Sequence, residues 1–207
     1  KKKRVVVKDI QEKKGDRFDN YKEEFDYLVF AGVALAVHAI SNPRYPLSES
    51  LQKNLLKLYL NDVGLLTSVL YGLSIKAVME TEKSVNLGAV YESAVAQELA
   101  AHGHKLFYYD NRSKGEVDYM IDDTENCRVL SVEVKSGKDY TEHSALDKFQ
   151  ETKEYKIDEA VVLSNEGRVY AEKGIWYMPV YYVMFMERSD ADETELPELR
   201  MPEEITP

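Results

Sequence analysis

Glu116-Val117-Asp118 and Glu133-Val134-Lys135 carry the residue types in this chain best suited to chemistry. Each triplet lies in a run that alternates apolar and polar residues, the pattern of a half-buried strand. If the two runs form a hairpin turning at Thr124–Cys127, facing positions have numbers that sum to 251. Asp118 then faces Glu133, and Glu116 faces Lys135. Two carboxylates opposite each other on a ladder have Cβ atoms about 4.5–5.5 Å apart and repel. A hard divalent cation between them would relieve that repulsion, since such ions take carboxylate oxygens as ligands.

A plainer reading competes. Val117, Tyr119 and Ile121 form one face of the first run, with Glu116 and Asp118 on the other. Leu130, Val132 and Val134 form one face of the second, opposite Ser131, Glu133 and Lys135. A solvated charged face with a Glu116–Lys135 ion pair accounts for two of the four charges and leaves Asp118 against Glu133. Glutamate-x-lysine alone says little, because Glu12/Lys14, Glu151/Lys153 and Glu154/Lys156 share the spacing. The metal reading therefore needs a third acid, and the helix expected over Leu87 to His102 offers Glu92 and Glu98. At 100° per residue Glu98 falls inside the apolar arc of Leu87, Val90, Tyr91, Ala94 and Val95, and Glu92 lies at its edge. Periodicity does not choose between them.

The elements that would position these residues fall into three regions. Residues 1–84 read as a small winged-helix-like or linker subdomain. Phe18, Tyr21, Phe25 and Leu28 recur at helical spacing up to Gly32, a strand runs from Val33 to Ile40, and a returning strand covers Leu55–Leu60. Asp62 is placed to cap the next helix, which ends at Gly72. Residues 85–186 interleave helices and strands. Gly103 closes the first helix, strands follow over Lys105–Tyr109, Gly115–Asp122 and Arg128–Ser136, then a helix from His143 to Glu154. Strands over Glu159–Leu163 and Arg168–Ala171 come next, and Pro179 opens a last helix within the apolar tract Ile175–Met186. Residues 187–207 form an acidic, proline-containing, flexible tail. The expected fold class is α/β (α+β), a mixed sheet flanked by helices.

Composition narrows the setting. The chain has 207 residues, 44% hydrophobic, with a net charge of −10. The tail from Glu187 carries eight acids and two bases, while nine bases outnumber six acids from Lys1 to Glu24. Bulk charge thus neither excludes nor supports a polyanion partner. One cysteine, Cys127, excludes an intrachain disulfide and fits a reducing, cytoplasmic setting. The longest apolar run, Tyr27 to Ile40, is too short to span a membrane. The basic start without methionine suggests a fragment. His102 and His104, with His38 and His143, show no zinc spacing. Tyr108-Tyr109 and Tyr181-Tyr182 offer rings that could stack on bases, although core positions explain them more simply.

Gly88-x-x-x-Glu92, Gly103, Glu116-Val-Asp118 and Glu133-Val-Lys135-Ser-Gly together resemble the PD-(D/E)XK nuclease superfamily, with a restriction-endonuclease-like fold. The spacing is similar to that of archaeal Holliday-junction resolvases. The run from Tyr59-Leu-Asn-Asp62-Val-Gly-Leu-Leu66 through Ser136-Gly137 resembles the uncharacterised C-terminal domain of prokaryotic AAA+ ATPases, in which a P-loop module and a winged-helix segment come first. The proline that precedes the superfamily's aspartate is Val117 here. No G-x-x-x-x-G-K-[ST] occurs, so ATPase activity is not expected from these residues, and an ATPase module in cis would be the partner. The resemblance implies a metal-dependent nuclease-like domain acting on DNA. Asp118 and Glu133 would bind Mg²⁺ or Mn²⁺ with the Val134 carbonyl and waters, Glu92 would assist directly or through a water, and Lys135 would serve the attacking water or a phosphate oxygen. Gln150 would be a supporting contact, with Glu98 and Glu116 as further candidates. The alternatives are a catalytically silent module of the same fold, which binds nucleic acid or regulates the ATPase, and a protein-interaction scaffold.

Overall fold

The structure is a computed structural model that describes residues 18–72 and 87–188, apart from 112, 138, 142–143, 151, 153–154, 156 and 158. Most of the basic start, most of the acidic tail and the expected boundary near 84 lie outside the described residues. After a 3₁₀ turn at Phe18–Tyr21, helix α1 (Lys22–Phe30) leads into strands β1 (Ala34–Ile40) and β2 (Leu51–Leu60). Helix α2 (Val63–Tyr71) follows, and the Asp62 carboxylate accepts a 3.0 Å bond from the Leu65 N–H as the expected cap. Helix α3 (Gly88–Ala101) is closed by Gly103 at φ 80°, a left-handed position that suits glycine.

Strands β3 (Phe107–Asn111), β4 (Gly115–Asp123) and β5 (Arg128–Lys135) form the centre of the sheet. Helix α4 (Ser144–Gln150), strand β6 (Ala160–Ser164), and the pair β7 (Tyr170–Glu172) and β8 (Ile175–Pro179) complete it, before a 3₁₀ helix at Val180–Phe185. The eight strands make one mixed sheet, in the order β2-β1-β3-β4-β5-β6-β8-β7. The expected mixed α/β architecture is therefore present. Helix α1 and the antiparallel β1–β2 pair occur in the expected order, and β1 also runs parallel beside β3, so this hairpin continues the sheet. In the tract from Ile175 a last helix opens at Pro179 as expected, as a 3₁₀ turn, and the first half adds a strand the sequence reading did not name, β8, which pairs in parallel with β6. The proline lacks the N–H needed inside a ladder and marks that change.

Helices cover both faces of the sheet. On one face Val95, Ala96 and Leu99 of α3 pack on Val37, Tyr108, Tyr119, Val132 and Leu163. On the other, Leu146 and Phe149 of α4 pack on Phe107, Tyr109, Met120 and Val162. The β4–β5 hairpin consequently has no solvated charged face, contrary to the simple alternation. Asp118, Ser131 and Glu133 are all buried. Among the described residues, no helix is long and apolar enough to cross a membrane.

Candidate functional site

The β4–β5 register is the one read from the sequence. Tyr119 pairs with Val132, and the ladder continues to Asp123 opposite Arg128. Past Tyr119 and Val132 the two strands part. Glu116 and Val117 pair on with β3, whereas Glu133, Val134 and Lys135 pair with β6. A bulge lies at the same place. Phe107 pairs with Met120 but Tyr109 with Val117, so β4 spends an extra residue there. Val117 joins the core on the α4 face and Tyr119 that on the α3 face, although they are two residues apart. Such a bulge re-aims the intervening side chain, here Asp118.

Asp118 sits at this fork, 4% exposed, and its Oδ2 accepts a 3.0 Å bond from the Val134 N–H. The carboxylate thus reaches the backbone of the residue after Glu133. Glu133 is 8% exposed and its Oε1 lies 2.9 Å from the Lys135 Nζ. Residues two apart on a strand share a face, which brings this acid and base together. The cross-strand Glu116–Lys135 pair of the plainer reading does not form. The fork separates these residues, and Lys135 turns to Glu133 while Glu116 is taken by Lys57 of β2.

Helix α3 resolves the choice that periodicity left open. Glu92 is buried and its Oε2 accepts from the Tyr59 hydroxyl at 3.4 Å, while the Tyr119 hydroxyl donates to the Glu92 carbonyl at 2.8 Å. Glu98 is half-buried and faces His102 one turn on, at 3.5 Å. The apolar arc could not separate the two because α3 is enclosed on several sides, by the sheet, by α2 and by the last 3₁₀ turn. Gln150 stands away from the fork and donates to the Gly174 carbonyl in the β7–β8 turn, at 3.2 Å. His102 and His104 both bond the Met186 carbonyl, and Tyr108 and Tyr109 are core residues.

Two residues of the site were not singled out in the sequence, Lys57 and Tyr59. Both lie on β2 and point to the α3 face. Lys57 is 1% exposed, with its Nζ 2.5 Å from Glu116 Oε1 and 4.5 Å from the centre of the Tyr108 ring. The lysine nitrogen is off the hydrogen-bonding direction, so the pair is held by charge. Burial holds the Tyr59 phenol well above its usual pKa, and the negative charges of Glu92, then Asp118 and Glu116, add to that. The signal that marks Lys57 is its phase, since it shares an inward face with Tyr59 within the apolar stretch Leu55–Leu60.

The donors suit Mg²⁺ or Mn²⁺ by kind, being hard carboxylate oxygens withdrawn from water, where uncompensated negative charge is costly. Among the described residues no three His, Cys, Asp or Glu side chains are grouped to hold a metal ion. A magnesium ion does not need such a cage, because it commonly keeps several waters and takes one or two carboxylates together with substrate phosphate. Asp118 and Glu133 can supply that pair. The described cavities, of about 270 and 580 Å³, lie elsewhere and include none of Glu92, Asp118, Glu133 or Lys135.

No curated protein and no solved structure matches the chain. Residues 87–183, from the start of α3 to the last 3₁₀ turn, match the family described as "Domain of unknown function (DUF4143)".

Proposed function

We propose that this chain carries a Mg²⁺-dependent, nuclease-like site acting on DNA phosphodiesters, as the effector part of a protein that also contains an ATPase module. The observation that carries it is the fork between β4 and β5. There a bulge, a parting of strands and an Asp118–Val134 bond set buried carboxylates beside a lysine. Asp118 and Glu133 would hold the ion, and Glu92, whose carboxylate and carbonyl accept from the Tyr59 and Tyr119 hydroxyls, would assist directly or through a water. The ion's chemistry in such a place is to acidify a bound water and offset charge on the phosphoryl oxygens. Lys135, already beside Glu133, is placed to orient that water or to meet a phosphate oxygen.

The test is cleavage of plasmid and linear DNA with Mg²⁺, with EDTA, and with Asp118→Asn and Lys135→Ala proteins. Cleavage by wild type in Mg²⁺ alone, lost in both variants, is expected. Absent or metal-independent cleavage by wild type counts against the proposal. The absence of a three-ligand group among the described residues favours a second reading, a silent module that binds nucleic acid or regulates the ATPase. That reading expects DNA binding to survive Asp118→Asn without cleavage.

A further inference from the structure

The turn between β3 and β4 stands at the same end of the sheet as the fork and leads directly into Glu116-Val117-Asp118. It is built to hold one side chain still. Asn111 Oδ1 accepts from the Ser113 N–H at 2.9 Å, the Ser113 hydroxyl at 2.7 Å and the Lys114 N–H at 3.3 Å. Gly115 closes the turn at φ 99°, a conformation that favours glycine. Lys114 Nζ donates to the Tyr155 hydroxyl at 2.7 Å and lies 4.1 Å from the centre of that ring. The Tyr155 hydroxyl in turn bonds the Tyr109 hydroxyl at 3.0 Å.

The partners of this lysine are phenols rather than carboxylates. Burial, then the bond to Tyr155, holds the Tyr109 phenol above its usual pKa, so it stays neutral. Among the described residues no carboxylate pairs with Lys114, in contrast to Lys57 and Lys135. A half-buried ammonium held by neutral groups keeps its charge for an outside anion. It has also given up in advance the rotamer freedom that binding would remove.

Tyr109 belongs to the α4 face, and Glu133 and Lys135 point to that face as well, since Val132 and Val134 fill the other. Lys114 and Lys135 thus share a face, one on the β3 side of the fork and one on its β5 side. From Gly115 to Asp118 the strand covers about 10 Å, the rise of about three nucleotides along one strand of a duplex.

We propose that Lys114, fixed by Tyr155, is a phosphate-binding residue that grips the DNA backbone about three nucleotides from the phosphate at the fork. The proposal rests on the DNA reading above and needs no metal ion.

Fluorescence anisotropy of a labelled DNA duplex with the whole chain, in EDTA and over a salt series, tests it. Wild type is expected to bind with an affinity that falls as salt rises. Lys114→Ala is expected to make that slope shallower by about 0.9, or about eightfold in affinity at 0.1 M salt taken relative to 1 M. Lys114→Arg is expected to keep the wild-type slope. Tyr155→Phe keeps the ring and releases the ammonium from its hydroxyl, so it is expected to weaken binding with the slope unchanged. Lys173→Ala, in the exposed β7–β8 turn at the far end of the sheet, is expected to match wild type. Circular dichroism confirms that each variant is folded, and should Lys114→Ala fail to fold, Lys114→Gln, which keeps the stem, is read in its place. A slope and affinity in the Lys114 variant equal to those of Lys173→Ala overturn the proposal and leave the DNA reading standing. No binding by wild type overturns both.

Discussion

Asp118 has two jobs in this structure that a pair of substitutions can separate. Its Oδ2 accepts the Val134 N–H at 3.0 Å, and both residues are buried. Asp118→Ala removes the acceptor and leaves that N–H unpaired, at a cost of about 1–3 kcal/mol. For a chain of this size each kcal/mol moves Tm by about 2–4 °C, so a fall of about 2–12 °C is expected. Asp118→Asn keeps an oxygen in the same place. Without metal it should therefore lose less stability than Asp118→Ala. Mg²⁺ at 100 times its dissociation constant should then stabilise wild type by about 2.7 kcal/mol. It should leave the Asn variant unmoved. Differential scanning fluorimetry with Mg²⁺ and with EDTA reads all four conditions. Equal losses in Ala and Asn would refute the hydrogen-bond argument, and an equal Mg²⁺ shift in wild type and Asn would refute Asp118 as a ligand.

Three further outcomes are expected. Glu92→Gln should weaken Mn²⁺ binding in calorimetry, whereas Glu98→Gln, whose half-buried i,i+4 pair with His102 is worth about 0.5 kcal/mol, should leave it unchanged. Burial lowers the pKa of His104 below the ordinary 6.5, against the opposing pull of the Met186 carbonyl, and burial lowers that of His38 as well. The unfolded chain then binds protons first as pH falls, so stability should decline below about pH 6.5, and His104→Gln should make that decline shallower in urea titrations. Cys127 holds φ at 50° in the β4–β5 turn, and Cys127→Gly should raise the urea midpoint, adding up to about 1 kcal/mol. A lower midpoint would show that the cysteine side chain contributes more than its backbone strain costs.

Much of the hairpin was legible because its signals are local. Period-two alternation on either side of a short polar turn sets a register, and Asp62 and Gly103 act on backbone within one turn of themselves. Burial of the charged face was not legible, since it depends on α4 and α3 closing over opposite sides of the sheet. Periodicity left Glu92 and Glu98 open for a related reason, as a helix packed on several sides has no single apolar arc. Lys57 was hidden by distance along the chain. Its partners Glu116 and Tyr108 belong to other strands, and only the parallel docking of β1 on β3 brings them within reach.

That docking also governs how the protein can be divided. The β1–β2 hairpin is the cover of the β3 edge, where His38, Ala39 and Ile40 pair with Phe107, Tyr108 and Tyr109. A fragment trimmed to residues 87–183 would bare the backbone N–H and C=O groups of an aromatic strand, the kind of edge that recruits another chain. It would associate through that edge before its chemistry could be measured. The useful unit for any assay is the sheet with its hairpin in place.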